Sequence, residues 1–360
     1  MTKIRFLMNK LTEMGKDALL VSSELNQRYV SGFNYTDGYI LITPEKAYLL
    51  ADFRYIEAAR DTVKDSDFEV IMPEGRMIAE LARLISEGNI RTLLIEESVV
   101  SCAELTTYKN NFKNVEIVQG ASEIFDGMRL IKTNEELALM IEAQKITDAA
   151  FSHILKVMKP DMTEIEVALE LEFFMRRNGA ENVAFDTIAV SGSASSMPHG
   201  VPRNIKLEKG FLTMDFGAKY NGYCADMTRT VVIGKADEEI KKVYSTVLRA
   251  QKAALDMVCE NVNCYELDKC ARDIIYAEGY EGCFGHGLGH GVGMLVHENP
   301  RVSPAAQRDS ILKRGMTTSI EPGIYIAEKY GCRIEDLVAI DQDGKVINMT
   351  KSNKELIELF

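Results

Sequence analysis

Apolar residues recur through the first third of the chain in short runs separated by turn formers. DALLVSS (17–23), YILITP (39–44), AYLLAD (47–52), FEVIMP (68–73), RTLLIEE (91–97) and VEIVQG (115–120) are rich in aliphatic and β-branched residues, which predicts strands. Between them RYIEAARDTV, MIAELARLISEG and CAELTTYKNNF place apolar residues at helical spacing. Strands alternating with helices predict an α/β domain over residues 1–122.

From residue 123 onward the pattern lengthens. In IKTNEELALMIEAQKITDAAFSHILKVMKP, Thr133 and Glu136 have capping-box spacing, and Pro160 marks the end of a long helix. Thr163 with Glu166 repeats the signature and opens a second helix, ending near Asn178-Gly179. Strand-rich sequence follows over 182–233, then a helix pair over 237–258 and 264–278, then strands from Thr317 to Val346. No internal repeat shows in the residues themselves.

The stretch FGHGLGHGVGMLVHE (284–298) has glycine at every odd position from Gly285 to Gly293. A helix would set His286 and His290 on one face, but each glycine costs roughly 1 kcal/mol in a helix interior. Read as extended chain, His286, Leu288, His290, Val292 and Met294 share a face. Residues four apart then lie about 13 Å apart. His286 and His290 cannot both hold one ion unless the chain bends sharply, so one is a candidate ligand and the others face a substrate. The glycines fit a backbone closely approached by a substrate or a neighbouring strand.

Carboxylates stand inside apolar runs. In FLTMDFGAKYNGYCADMTRTVVIG, Asn221-Gly222 is a hairpin signal. A two-residue turn there puts position 215 opposite 228 and leaves Asp226 diagonal to Asp215 on the same face. In TTSIEPGIYIAEKYGCRIEDLVAI, Glu321 closes a strand-like run before Pro322-Gly323. Alternation then puts Arg333, Glu335 and Leu337 on one face and Ile334, Asp336 and Val338 on the other. Four inward carboxylates repel one another unless cations join them. Two divalent ions would cancel the four charges, with one imidazole completing an oxygen-rich shell. Such donors favour Mn²⁺, Co²⁺ or Fe²⁺ over thiolate-bound metals, with zinc still open.

Composition narrows the partners. With 54 acidic against 42 basic side chains the net charge is −12, which argues against nucleic acid or anionic membrane as partners. The N-terminal MTKIRFLMNKLTEMGKDALLV has no apolar signal region, and no stretch approaches a membrane span. The 7 cysteines form no CxxC pair, which reads as reduced thiols in a cytoplasm.

SSMPHGVP, TMDFGAKYNGYCADMTRT, GHGLGHGVGMLVHE, SIEPGIY and GCRIEDLV stand in the order and spacing of the pita-bread metallopeptidases, whose closest look-alikes are aminopeptidase P and prolidase. The resemblance is strong over residues 128–360, and NQRYVSGF with TDGYILITPEKAYLLADFRY resembles the creatinase-type N-terminal domain. It implies an α/β N-terminal domain (1–122) followed by an α+β pita-bread catalytic domain (123–360). It implies a dinuclear site with ligands Asp215, Asp226, His290, Glu321 and Glu335, with Mn²⁺ as the first choice of ion, and so singles out His290 among the histidines. Asp226 and Glu335 would approach both ions, and Glu321 would orient the attacking water and take its proton. His199 and His297 would contact the scissile carbonyl or shuttle protons. His286 would line the proline side, Arg333 would anchor a downstream carboxylate or hold the ligand shell, and Tyr325 would lie close by. Leu295 departs from the polar residue common there, which bears on the pocket lining.

The implied activity is removal of the N-terminal residue from peptides with proline second, an Xaa-Pro aminopeptidase, with Xaa-Pro dipeptidase as the alternative. A cytoplasmic homodimer is expected. Methionine aminopeptidase is disfavoured by the preceding domain, and creatinase and non-catalytic pita-bread binding proteins by the intact ligand set.

Overall fold

The six aliphatic runs of the N-terminal region form one sheet. In this computed structural model all 360 residues, Met1–Phe360, are described, in two units, Met1–Gly127 and Met128–Phe360. The first runs α1 (Lys3–Met14), β1 (Ala18–Val21), α2 (Glu24–Ser31), β2 (Tyr39–Ile42), β3 (Ala47–Leu50), α3 (Ile56–Thr62), β4 (Phe68–Ile71), α4 (Met77–Glu87), β5 (Thr92–Ile95), α5 (Cys102–Asn111) and β6 (Glu116–Gln119). Helix α6 (Ala121–Leu130) then carries the chain into the second unit. The strand order is β4-β3-β2-β1-β5-β6. Strands β1, β2 and β3 pair antiparallel, and β4, β5 and β6 join in parallel. Burial of Leu20, Leu41, Leu50, Leu81 and Leu93 against the helices closes its core.

The second unit opens with α7 (Asn134–Val157) and α8 (Glu164–Arg177). Both begin with the predicted capping boxes. Thr133 Oγ1 accepts the Glu136 N–H at 3.3 Å while Glu136 accepts the Thr133 N–H at 2.9 Å, and Thr163 and Glu166 do the same at 3.1 and 2.7 Å. Next come β7 (Asn182–Val183), β8 (Ile188–Ser191), a 3₁₀ turn (Gly192–Ser196), β9 (Gly210–Phe216), β10 (Ala218–Tyr220), β11 (Tyr223–Cys224) and β12 (Met227–Ile233). A second helix pair, α9 (Glu238–Met257) and α10 (Cys264–Ala277), precedes β13 (Gly289–Gly291), β14 (Glu298–Val302), β15 (Thr317–Ile320), β16 (Gly323–Ile326), β17 (Tyr330–Arg333), β18 (Asp336–Ile340), β19 (Val346–Asn348) and β20 (Glu358–Leu359). No helix is long and apolar enough to cross a membrane.

Two hairpins organise the unit. Asn221 (φ 46°) and Gly222 (φ 88°) make the tight turn, with Tyr220 opposite Tyr223. The register runs on unshifted to pair Asp215 with Thr228, as a two-residue turn requires. In the other hairpin Ile320 pairs with Asp336 and Gly323 with Arg333. The ladder is interrupted between these pairs, where Glu321 and Glu335 stand across from each other.

The structure reveals the repeat that the residues hide. Helix α8 buries positions 164, 167, 168, 171 and 175, and α10 buries 264, 267, 268, 271 and 275, each one hundred residues on. The side chains differ, but the packing periodicity is the same. Each helix pair closes its own core, α7–α8 around Phe151, Leu171 and Met214 and α9–α10 around Val247, Leu267 and Ile334.

The glycine stretch does not form the single extended strand expected from it. Only Gly289–Gly291 is strand, with a register shift between His290 and Gly291, and the chain bends back to pair Gly291 with Glu298. Leu288 packs into the core while His286 and His290 line a cavity, so the even positions do not share one face. Gly287, Gly289 and Gly291 answer to neighbouring chain segments. A Cβ on Gly289 would lie 1.9 Å from the Ser319 carbonyl oxygen, and one on Gly291 would lie 2.0 Å from that of Asn299.

Gly289→Ala should therefore destabilise the protein by about 1–3 kcal/mol or more, because a backbone oxygen cannot step aside. Gly285→Ala, where nothing lies within 4 Å, should stay within about 0.5 kcal/mol. Equal unfolding midpoints in denaturant titrations of the two variants would contradict this account of the glycines.

Candidate metal centre

Side chains from both hairpins and the glycine loop meet at a cavity of about 420 Å³, lined by Asp215, Asp226, His290, Glu321 and Glu335. One carboxylate oxygen each from Asp215, Asp226 and Glu335 lie within 4.8 Å of one another. His290 Nε2 is 3.2 Å from Glu321 Oε1 and 3.7 Å from Asp226 Oδ2.

Hydroxyls and backbone groups hold these carboxylates. Thr228, opposite Asp215 on β12, donates from Oγ1 to Glu335 Oε2 at 2.8 Å, and its carbonyl accepts the Glu335 N–H at 3.1 Å. Ser319 Oγ donates to Glu321 Oε1 at 2.9 Å and accepts the His290 N–H at 3.0 Å. The alternation expected in GCRIEDLV holds across the break between β17 and β18. Arg333 and Glu335 line the cavity, Ile334 enters the core, and buried Asp336 pairs with Arg229 at 2.8 Å and Lys354 at 2.5 Å.

Crowding sets the protonation. Burial, then the charges of Glu335, Asp215 and Glu321, push the Asp226 carboxyl well above its usual range. Burial, then Glu321 and Asp215, do the same to Glu335. Asp215 is also raised by burial, although Arg333 opposes it. Glu321 goes the other way. Burial raises it, but the hydrogen bond and charge of His290 outweigh that and hold it at about 2. Burial lowers His290, and the hydrogen bond and charge of Glu321 more than reverse it, leaving its pKa raised.

The histidines have distinct settings. His290 Nδ1 lies 3.1 Å from the Gly291 carbonyl, which makes it the N–H donor and turns Nε2 to the carboxylates. His286 bonds Gly287 O through Nδ1 at 2.8 Å, but its Nε2 is engaged by the Tyr325 hydroxyl at 2.9 Å. His286 therefore lines the cavity with no nitrogen lone pair left over. His297 stacks edge-on to His290 with ring centroids 4.4 Å apart. Burial, then the charges of His290 and Arg301, depress its pKa and keep it neutral. His199 lines the same cavity from the loop after the 3₁₀ turn. His153 lies elsewhere, bonded to Glu170 at 2.6 Å and stacked on Phe174.

Two expectations change and one narrows. Of the two roles expected for Arg333, the contacts fit the second, holding the carboxylate shell. Nη2 donates to Asp215 Oδ2 at 2.7 Å, Nη1 to the Tyr325 hydroxyl at 2.8 Å and Pro198 O at 3.2 Å, and Nε to Thr228 Oγ1 at 2.9 Å. Tyr325 is fixed between Arg333 and His286 and is not among the cavity-lining residues. Leu295 is 43 % exposed and does not line the cavity, whereas Val296 does.

Sequence reasoning missed Arg301, Asp186 and Ile188, which also line the cavity. Arg301 pairs with His290 across β13–β14, and Ile188 with Asp215 across β8–β9. Neither pairing has a turn signal of its own in the residues.

The donors fit divalent cations. Asp215 Oδ1 and Glu335 Oε1 are buried with no hydrogen-bond partner, and buried carboxylate oxygens are not left so without a cation or proton. With His290 Nε2 turned inward, the donors are hard oxygens and a single imidazole.

Similarity to known proteins agrees with this chemistry. A family model described as Metallopeptidase family M24 matches residues 138–342, and one described as Creatinase/Prolidase N-terminal domain matches residues 3–131. The Bacillus subtilis protein named Uncharacterized peptidase YqhT is 41 % identical over 99 % of this chain and 100 % of its own. Among solved structures, an Xaa-Pro dipeptidase from Bacillus anthracis aligns with TM-score 0.93 and 38 % identity, covering 99 % of each chain. An X-Pro aminopeptidase from Thermotoga maritima aligns with TM-score 0.90 and 35 % identity over 97 % of this chain and 100 % of the other.

The raised carboxyls predict a pH-linked metal affinity. Unfolded carboxyls ionise near pH 4, whereas Asp226 and Glu335 stay protonated above that when folded without metal. Across that window the folded state binds more protons than the unfolded chain, so metal-free stability falls as pH rises. Glu321, held at about 2, contributes stability that is lost only as pH falls below the window. A divalent cation takes the deprotonated carboxylates. The gain in Tm on adding Mn²⁺ should therefore grow with pH, with protons released on binding. A pH-independent gain without proton release would contradict the burial-raised assignment.

Proposed function

The chain belongs to metallopeptidase family M24, and from that premise we propose that it hydrolyses the bond between an N-terminal residue and a following proline. Residues 123–360 would carry the catalysis and residues 1–122 form the creatinase-type N-terminal domain. The observation that carries the reading is the convergence of four carboxylates, Asp226 and Glu335 buried and Asp215 and Glu321 half-buried, and His290 Nε2, with two carboxylate oxygens unpartnered.

Asp215, Asp226, His290, Glu321 and Glu335 would hold two divalent ions, with Mn²⁺ favoured by the oxygen-rich donors and Co²⁺, Fe²⁺ or Zn²⁺ as competitors. When bound, such ions supply Lewis acidity, acidifying water and polarising the scissile carbonyl. Glu321, steadied by Ser319, orients the attacking water and takes its proton. His297, neutral and beside His290, and His199 contact the carbonyl oxygen and pass a proton to the departing nitrogen. The water oxygen bonds to the carbonyl carbon, the C–N bond breaks, and proline leaves as a protonated secondary amine. Proline lacks an amide N–H and has a fixed φ, so recognition here rests on shape, with His286 on the ring side.

Substrate length turns on one residue. With Arg333 committed to Asp215, Arg301 is the cavity-lining cation without an ion-pair partner. It suits the free carboxylate of an Xaa-Pro dipeptide, which favours a dipeptidase. Arg301 also lines a second cavity of about 520 Å³. That space would admit residues beyond proline and supports the aminopeptidase reading as the alternative.

His290→Ala should lose bound metal by elemental analysis, while His199→Ala and His297→Ala should keep it and lose about 10²–10⁴-fold in kcat. Metal loss in all three would overturn this division of roles. Arg301→Met should lower kcat/KM for Ala-Pro by about 10- to 100-fold, the worth of a hydrogen bond between charged groups, and change Ala-Pro-Ala little. Equal losses on both peptides would rule out Arg301 as the carboxylate anchor.

A further inference from the structure

Glu298 directly follows His297 and turns away from the cavity into a buried ion-pair cluster. Its side chain is 6 % exposed and meets Lys132 Nζ at 3.2 Å and Arg129 Nε at 3.5 Å. The Lys132 side chain is 2 % exposed. Burying an ammonium is costly unless it is paired, and an apolar side chain would fill the same space without that cost. Burial pushes the Lys132 pKa down, and the Glu298 charge opposes the fall.

Both partners of this pair are anchored. The Lys132 N–H donates to Gly315 O at 2.8 Å, and its carbonyl accepts from Gln342 Nε2 at 2.6 Å. Glu298 Oε1 accepts the Leu295 N–H at 3.3 Å, and the Gly293 N–H donates to Leu295 O at 2.9 Å, closing the loop on itself. Gly293 has no room for a side chain, since a Cβ there would lie 2.3 Å from Glu298 Oε2. The Glu298 carboxylate is thus packed into the loop that folds His297 back onto His290.

We propose that Lys132, acting through Glu298, is a positioning residue that holds the 293–297 loop so that His297 faces the substrate. This rests on His297 acting on the scissile carbonyl. A loop freed from its anchor need move only about 1 Å to cost up to 10²-fold in rate. The carboxylate ligands lie on other elements, and His290, on the strand beside Glu298, has its own holds in Ser319 Oγ and the Gly291 carbonyl, so the anchor bears on the 293–297 loop more than on the metal donors.

Lys132→Met in the metal-loaded full chain should keep its metal content and KM and lose about 10- to 100-fold in kcat. In a His297→Ala background the same substitution should cost nothing further, because its effect runs through that imidazole. Glu298→Gln keeps the shape and the acceptor for Leu295, and it gives the same readout if Lys132→Met fails to fold. Wild-type kcat in the single variants, with His297→Ala impaired, would overturn this inference alone. An equal loss with and without His297 would overturn it too, in favour of a general structural role. Wild-type kcat in His297→Ala itself would overturn both this and the assignment of His297.

Discussion

Four carboxylates crowded around one cavity repel one another, and much of the second unit is arranged around that repulsion. Only Arg333 and His290 bring positive charge into direct contact with the cluster. Asp226 and Glu335 are driven toward protonation while Glu321 keeps its charge through His290. The arrangement survives because its parts are immobilised from behind. Arg229, fully buried, donates to the carbonyls of Thr228 and Glu335 and pairs with Asp336. Thr228 ties one hairpin to the other. A cation-shaped cost is thus built into the metal-free fold, and divalent ions would relieve it.

The recurring helix pairs place the histidines by a common device. Glu164, at the start of α8, accepts from the N–H and hydroxyl of Ser191 and from the backbone and guanidinium of Arg203, bracketing the loop of His199. Asp268, in α10, accepts the Leu288 N–H and pairs with Arg272, which donates to the carbonyls of Phe284 and His286. In each half a buried carboxylate on the second helix sets a histidine loop. Such groups cost much when unpaired and little when fully bonded, so these loops have few alternative conformations.

Local signals were the legible ones. Thr133, Thr163 and their glutamates mark helix starts through bonds three residues apart, and Asn221-Gly222 dictates the pairing of Asp215 with Thr228 through the turn alone. The carboxylates announced themselves because apolar neighbours made them anomalous. What stayed hidden depends on residues far apart in the chain. The bend after His290 is set by Ser319 and Asn299 pressing on glycines, and the commitment of Arg333 by Asp215, over a hundred residues away. Arg301 enters the cavity through a strand pairing that no turn motif encodes. The repeat escaped notice because it conserves which positions are buried and not which residues occupy them.

The division of donors between the repeated halves has a mechanical consequence. Asp215 and Asp226 come from the hairpin that follows α7–α8, whereas His290, Glu321 and Glu335 come from the segment that follows α9–α10. Neither half owns a complete coordination set, so ions held by all five side chains would act as a clasp across the seam. Their contribution would resemble that of a crosslink, acting on the relative freedom of the two halves more than on the strength of either, and it would be reversible with the supply of metal.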